Sequence, residues 1–393
     1  MSRSLVANLL FAALGVVAAA TVIGLVLLWP RGEIERPDSL QRPETHPAEV
    51  VGVHATECRT PQATDCRRVT VLLHGGPDEG DTAAFTVGDQ GDTEVRLTVG
   101  DRVRVYRSEL PEGAVLGGVA VDRYGLADFE RRLPLALLFV AFALLVALTG
   151  RWRGMRALVG LLGSLGVVVV FVVPAILDGG PPLGVALVGA FAVMLITIPL
   201  AHGFGIKSVA AMLGTAASLV LVVTLARAAT EFANLTGLSS EEAVFLRAAT
   251  TGGLSVQGLF LAGMVIGALG VLDDTTVTQS STVMALRKAN PSLGYGELFR
   301  AAIQVGHDHI AATVNTLVLA YAGASLPVLL IFSLGDVSFS DAVNNEAVAE
   351  EIVAMLVGSM GLIAAVPVTT ALAALLATRL DPRELPDEHA HAH

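Results

Sequence analysis

The chain has 393 residues, of which 53% are hydrophobic and 16% charged, and its formal net charge is −11. Its mean hydropathy is strongly positive. This composition is typical of a multi-span membrane protein and excludes an ordinary soluble domain. The chain carries no basic cluster that could neutralise phosphates, so nucleic acid is not an expected partner. The expected partner is the lipid bilayer.

The first apolar run, 5–29, resembles a signal peptide. It is longer than a usual hydrophobic region and lacks a small-residue cleavage site, so we predict an uncleaved membrane anchor over 1–30. The next segment, 31–132, differs in kind. Its clusters of β-branched residues at 69–73, 84–87 and 93–99, and the strand entered at Gly100-Asp101, alternate with Gly/Asp turns. We predict a small all-β domain, a barrel or a sandwich.

Cys58 and Cys66 are the two cysteines of the chain, and both lie in this polar segment. If the segment is extracytoplasmic, a disulfide that closes a short loop is expected. The alternative is a zinc site, which would need two more ligands such as His54 and His74. The disulfide is the favoured interpretation, and no metal site or cofactor is predicted.

Seven further apolar runs predict a helical membrane domain over 133–380, which makes about eight spans in all. The runs are 133–150, 157–177, 182–201, 208–227, 253–281, 309–333 and 350–378. Basic residues concentrate in alternate connections, which predicts that both termini and the His-rich tail 381–393 are cytoplasmic. The β domain 31–132 would then be extracytoplasmic. The expected location is a bacterial plasma membrane.

Two adjacent acids, Asp273 and Asp274, end a long uncharged apolar run. Ionisable groups at membrane depth usually face a protein interior or a water-filled path, so the pair is a candidate proton or ion site. Helical spacing predicts two polar stripes. One contains Asp274, Thr278 and Ser281, and the other contains Asp273, Thr276 and Ser280. The alternative is that the acids lie at headgroup level and only end the span.

The seventh predicted span begins with His307, Asp308 and His309 and then carries Thr313, Asn315 and Thr316. Asn315 and Thr278 are candidate hydrogen-bond partners of the acids, although Asn and Thr in spans often only join helices. The two histidines and their acid could relay protons. A metal site built from them is the weaker alternative.

Three segments of this region together resemble the YibE/F family. They are the run 267–277 with its two acids, the segment Gly296-Glu297-Leu298-Phe299-Arg300 and the segment Gly306-His307-Asp308-His309. The order of an anchor, a polar domain and a helical bundle is also similar to that family.

A more distant similarity is to SecD, SecF and the resistance-nodulation-division superfamily, in which the corresponding span carries an acid tied to proton flow. By position, Asp274 matches that aspartate. The chain departs from that pattern at Gln279 and Ser280, where SecD and SecF have an acidic–arginine pair. The chain also has only one acid-bearing half, so the resemblance implies that a working pump would need a homo-oligomer or a partner membrane subunit.

The leading hypothesis is a proton-coupled transporter or export-assisting machine, with Asp274 as proton acceptor and Asp273 as the neighbour that tunes it. The alternative is a non-transporting scaffold or accessory protein that presents its β domain to an envelope partner. No enzyme is expected, because the spans contain no GxSG or HExxH motif.

Overall fold

A computed structural model describes residues 3–32, 43–58, 63–90, 96–110, 115–116, 119–250 and 253–379. The predicted tail 381–393 lies outside these residues. The chain divides into two compact units. A β-rich unit comprises Arg36–Leu145, and a helical unit comprises Met1–Glu35 with Val146–His393.

The β-rich unit is a five-stranded antiparallel sheet with the strand order β3-β2-β1-β4-β7, beside a small hairpin of β5 and β6. The strands are β1 (Thr45–Ala55), β2 (Ala63–Leu73), β3 (Thr82–Gln90), β4 (Arg102–Arg107), β5 (Val115–Leu116), β6 (Val119–Ala120) and β7 (Tyr124–Phe129). Alternate residues such as Val69 and Val71 of β2 and Val103 and Val105 of β4 are buried in one core. This is the period-two pattern of a sheet with one covered face.

The sheet curls, so that its two edge strands β3 and β7 approach each other. Asp122, just before β7, accepts a hydrogen bond from the backbone N–H of Thr86 in β3 at 2.9 Å. It also pairs with Arg68 at 3.5 Å. A carboxylate thus satisfies a backbone group that an edge strand would otherwise leave open. The predicted small β module is confirmed as this curled sheet.

One predicted strand is wrong in its described part. Residues 96–99 form no strand, whereas 93–95 lie outside the described residues. The cause is a tight turn in which Asp101 bonds Thr98 twice. Its backbone N–H donates to the Thr98 carbonyl at 3.1 Å, and its carboxylate accepts from the Thr98 N–H at 2.7 Å. Gly100 adopts a φ of 97°, which a side chain would disfavour.

The helices outnumber the predicted spans because short elements connect the long ones. They are α1 (Arg3–Leu27), α2 (Arg132–Val167), α3 (Val173–Leu177), α4 (Pro182–His202), α5 (Ile206–Phe232), α6 (Glu241–Ala249), α7 (Val256–Ala289), α8 (Tyr295–Ala324), α9 (Leu326–Leu334), α10 (Phe339–Asn344) and α11 (Glu346–Arg379). A π-helical turn, Val168–Val172, joins α2 to α3.

Within the described residues, six helical runs are long and apolar enough to cross a membrane, or seven if the pair α8–α9, bent by 57°, is one span. The predicted spans 133–150 and 157–177 fall on a single run of 46 residues. At 1.5 Å per residue this run would be about 69 Å long, twice the thickness of a hydrocarbon core. Its backbone leaves the helical region at Arg151 (φ 48°, ψ −131°).

The helical unit is built around α5, α7 and α11, which pack against one another. The first helix, α1, packs on α4, and its end is held where the backbone N–H groups of Arg31 and Gly32 donate to Asp178 at 2.8 and 3.2 Å. These donors lower the pKa of the Asp178 carboxyl. On the other side of α7, α8 packs against both α7 and α11.

Glycines set the distance between α5 and α11. A Cβ atom on Gly361 of α11 would lie 2.3 Å from Cγ2 of Val222, and one on Gly214 of α5 would lie 2.1 Å from Oγ1 of Thr369. Such small residues let helix backbones approach closely where lipid gives no hydrophobic driving force. The approach brings α11 against the same helices that enclose the acid-bearing part of α7.

We therefore expect Gly361→Ala to lower the free energy of unfolding by about 1–3 kcal/mol, because the new methyl group must push α5 and α11 apart. Thermal unfolding in lipid nanodiscs measures the effect. Gly358→Ala is the matched control on the same helix, since no atom lies within 4 Å of its Cβ position. Equal stability of the two variants would contradict the close-packing argument.

The structure joins Cys58 and Cys66 by a disulfide. We expect thiol-reactive maleimide to leave protein from native membranes unlabelled until reductant is added. Cys58→Ser should lower the stability of the β-rich unit by about 2–3 kcal/mol, because the closed loop restricts the unfolded chain. Cys58 is the cysteine to substitute, because it is exposed, whereas a change at the buried Cys66 would also disturb packing. Labelling without reductant would contradict the bridge.

Candidate functional site

The acid pair lies in the middle of α7, the central helix of the helical unit. Ser255 caps the start of α7 by accepting a hydrogen bond from the N–H of Gly258 at 3.1 Å. The helix then continues without interruption for 34 residues, or about 51 Å. Asp273 is the eighteenth of these residues. The helix therefore extends well beyond the acids in both directions.

Of the two neighbouring polar stripes expected from helical spacing, one is covered by other helices and the other is largely exposed. Thr276 and Ser280 are buried, and Asp273 is partly buried, so that stripe faces the neighbouring helices. Asp274 and Thr278 are exposed, and Ser281 is partly buried. The two acids thus occupy different environments, although they are adjacent in sequence.

Asp273 points towards α4. Its Oδ2 atom lies 3.2 Å from the hydroxyl of Thr197, and its Oδ1 atom is buried without a hydrogen-bond partner in the described part of the chain. The same Thr197 hydroxyl lies 2.9 Å from the carbonyl oxygen of Val193. A hydroxyl has one hydrogen to donate. If Thr197 donates to Val193, the contact with Asp273 needs a hydrogen on the carboxyl group.

Two contacts fix the depth of Asp273 in the bundle. The hydroxyl of Thr276 lies 2.7 Å from that of Thr215 in α5, and Ser280 donates to the backbone oxygen of Lys207 at 2.7 Å. Lys207 is the second residue of α5. Asp273 precedes Ser280 by seven residues, so it lies about 10 Å along the helix axis from the α4–α5 connection.

Gln279 joins three helices beside the acids. Its side-chain N–H₂ donates to the backbone oxygen of Ala302 in α8 at 2.9 Å and to the hydroxyl of Thr370 in α11 at 2.7 Å. Gly306 makes room for it, because a Cβ atom there would lie 3.0 Å from the side-chain oxygen of Gln279. The buried amide is therefore a structural link around the acid-bearing turn.

The proposed relay residues of α8 form no hydrogen bond or ion pair with either acid in the described part of the chain. His309 is partly buried, and its Nε2 atom lies 3.4 Å from the hydroxyl of Thr275. His307 and Asp308 are exposed. Thr275 in turn donates to the backbone oxygen of Val271 at 2.8 Å, within its own helix.

The structure also brings neither Thr278 nor Asn315 into hydrogen-bond contact with an acid in its described part. Thr278 lies one turn along the exposed face from Asp274, and Asn315 lies on the exposed face of α8. The physical reason is that each points away from the surface between α7 and α8, where Thr275 meets His309.

Asp274 lies on an open strip of α7 that carries almost no side chains. The strip runs along one helical face through Gly263, Gly267, Gly270, Asp274 and Thr278, all exposed. No atom comes within 4 Å of a Cβ position at Gly263 or Gly270. We call these five residues the glycine strip. It leaves Asp274 accessible.

Asp274 lies within electrostatic range of His202, whereas no basic charge acts on Asp273 in the described part of the chain. His202, at the end of α4, is exposed, and the charges of Lys207, Asp274 and Arg153 all act on its imidazole. The charge that acts on Asp273 is that of Asp274, an acid. The exposed acid therefore has compensating charge in its neighbourhood, whereas the partly buried one depends on Thr197.

Thr197, Thr215 and Thr370 are site residues that the sequence analysis did not single out. Each lies in a long apolar run and is a type of residue that often bonds only its own helix. A polar side chain within an apolar span was the available signal. Their partners could not be read from it, because those lie on other helices.

We expect Gln279→Leu to lower the stability of the helical unit by about 1–2 kcal/mol, because the substitution keeps the volume but removes two interhelical hydrogen bonds. Thermal unfolding in nanodiscs measures this loss. Thr282→Val is the control, since among the described residues that hydroxyl bonds only the Thr278 carbonyl of its own helix. A Gln279 variant as stable as the control would contradict the linking role.

Comparison with known proteins places the chain in a family. The family model described as YibE/F-like protein matches residues 138–379, more than half of the chain. No curated protein and no solved structure matches it. The expected distant resemblance to SecD, SecF and the resistance-nodulation-division superfamily therefore finds no support here. The matched segment contains every helix of the site, and the chain belongs to the YibE/F family.

Proposed function

We propose that this membrane protein is a proton-coupled transporter or export-assisting machine in which Asp273 takes up and releases the proton. The observation that supports the proposal is the environment of this side chain. One carboxylate oxygen is buried without a partner, and no basic residue pairs with it in the described part of the chain. Burying an unpaired charge costs several kcal/mol, whereas a proton removes that charge.

The contact with Thr197 supports the same assignment. When Asp273 carries a proton, it can donate to Thr197 while Thr197 donates to Val193. When the proton leaves, Thr197 must give up one of its two acceptors. Both states thus have a hydrogen-bond arrangement, and they differ by one proton.

Asp274 is proposed as the neighbour that exchanges protons with the surroundings. It is exposed on the glycine strip, whereas Asp273, one residue earlier, turns inward. A second carboxylate beside the first also favours protonation of one member of the pair. The exchange route would then run along the open face of α7, and not through the histidines of α8.

The proposed setting is a bacterial plasma membrane crossed eight times, with both termini cytoplasmic and residues 31–132 outside. The break at Arg151 divides the 46-residue run into two crossings, and α8 with α9 supplies another. Arg153, Lys207 and Arg287 fall in connections that this arrangement puts on one side, as the positive-inside rule requires. The disulfide fits an oxidising compartment on the other side.

The experiment is infrared difference spectroscopy of the full-length protein in proteoliposomes between acidic and alkaline buffer. We expect a protonated-carboxyl band in the wild type that disappears in Asp273→Asn and remains in Asp274→Asn. Proton flux under an imposed potential, followed with a trapped pH dye, should fall to the level of protein-free liposomes in Asp273→Asn.

The matched pair of variants separates the outcomes. Loss of the band in Asp274→Asn alone would reverse the roles of the two acids. A spectrum unchanged by either substitution would refute the proton site. The scaffold hypothesis would then be favoured, and deletion of residues 40–125 would be expected to abolish function while changes at the acids would not.

A further inference from the structure

The exposed face of α8 is polar, although the helix packs beside the acid-bearing part of α7. Gln304, His307, Asp308 and Asn315 are all exposed. None of the four side chains forms a hydrogen bond or an ion pair with another described residue. Ala311 and Ala312 lie between them and are exposed as well. We call these six residues the α8 face.

Contacts with α7 determine how deep this face lies. His309 is next to Thr275, and the backbone oxygen of Ala302 accepts from Gln279, so α8 runs antiparallel to α7. His307 and Asp308 are therefore level with the acid pair. Asn315 lies seven residues further along, about 10 Å deeper into the apolar half of the bundle. Lipid supplies no partner for any of these groups.

We propose that the α8 face is covered by the α8 face of a second copy of this chain, related by a two-fold axis that runs along the membrane normal. Such an axis places equivalent residues at the same depth. Because His307 and Asp308 are adjacent in sequence, each histidine then faces the aspartate of the other copy. The pairing is charge-complementary and occurs twice.

The remaining residues of the face suit this partner. Ala311 and Ala312 have small side chains, which let two helix backbones approach closely in lipid. Asn315 can both donate and accept, so two copies of it can bond each other across the axis. The imidazole of His307 carries an N–H that can donate to the carboxylate of Asp308 in the other copy. The inference is independent of proton transport.

Cysteine cross-linking in native membranes tests the proposal. The chain has two cysteines, and the structure bridges them, so an introduced cysteine is the one reactive thiol expected. We expect Ala311→Cys to give a cross-linked dimer with a short bismaleimide. Ile363→Cys is the control on the exposed face of α11 and should remain monomeric. Gly361, close to Leu272 of α7, places Ile363 at the same depth.

Charge variants in the Ala311→Cys background test the pairing itself. His307→Asp puts two acids opposite each other and should reduce cross-linking about tenfold or more. The swap His307→Asp with Asp308→His restores opposite charges and should restore the dimer. Thermal unfolding of each variant verifies that the fold is kept.

Three results would overturn the proposal. They are no cross-linked dimer with Ala311→Cys, equal cross-linking at positions 311 and 363, and a charge swap that fails to restore the dimer although the protein is folded. A cross-linked product with the mass of a different subunit would assign the face to that subunit. A monomer in native membranes would leave the face to water or lipid.

Discussion

Hydrocarbon offers no hydrogen-bond partners, and this constraint governs the arrangement around α7. The helix carries polar residues along its middle, so the groups that turn inward must find partners on other helices. They find them on three sides. Thr197 of α4 meets Asp273, Thr215 of α5 meets Thr276, and Thr370 of α11 meets Gln279. The close glycine contacts between α5 and α11 keep the last two helices near enough to serve.

Helical periodicity predicted which residues of this site share a face of α7, but not which face the other helices cover. The spacing of the polar residues separated Asp273 from Asp274 before any neighbour was known. It could not tell which stripe would be covered, because that depends on which helices pack there. The resemblance to SecD and SecF favoured Asp274 as the proton acceptor, whereas Asp273 is the acid that turns towards α4. Thr197 is 76 residues away, and no local pattern links the two.

In the rest of the fold, too, local features were predictable and long-range contacts were not. Apolar runs predicted α1, α4, α5 and α11 to within about five residues at each end, because length and hydropathy are local properties, whereas the predicted bounds of α7 and α8 differ by more. The strands at 69–73 and 84–87 lie within β2 and β3 for a similar reason. The curl of the sheet was not predictable, since it depends on Asp122 meeting Thr86 across 36 residues. The bend between α8 and α9 does have a local signal, because Pro327 in the first turn of α9 cannot continue the helix, but its angle of 57° is not predictable from the sequence.

The hydroxyl hydrogen of Thr197 links the charge of Asp273 to the curvature of α4. A threonine that bonds the carbonyl four residues back tends to bend its helix. In α4 this bond ends at Val193, and Pro199, two residues after Thr197, already removes one backbone donor. A change of charge on Asp273 that redirects this hydrogen would alter the curvature of α4 at its weakest turn. The protonation of Asp273 and the curvature of α4 would then change together.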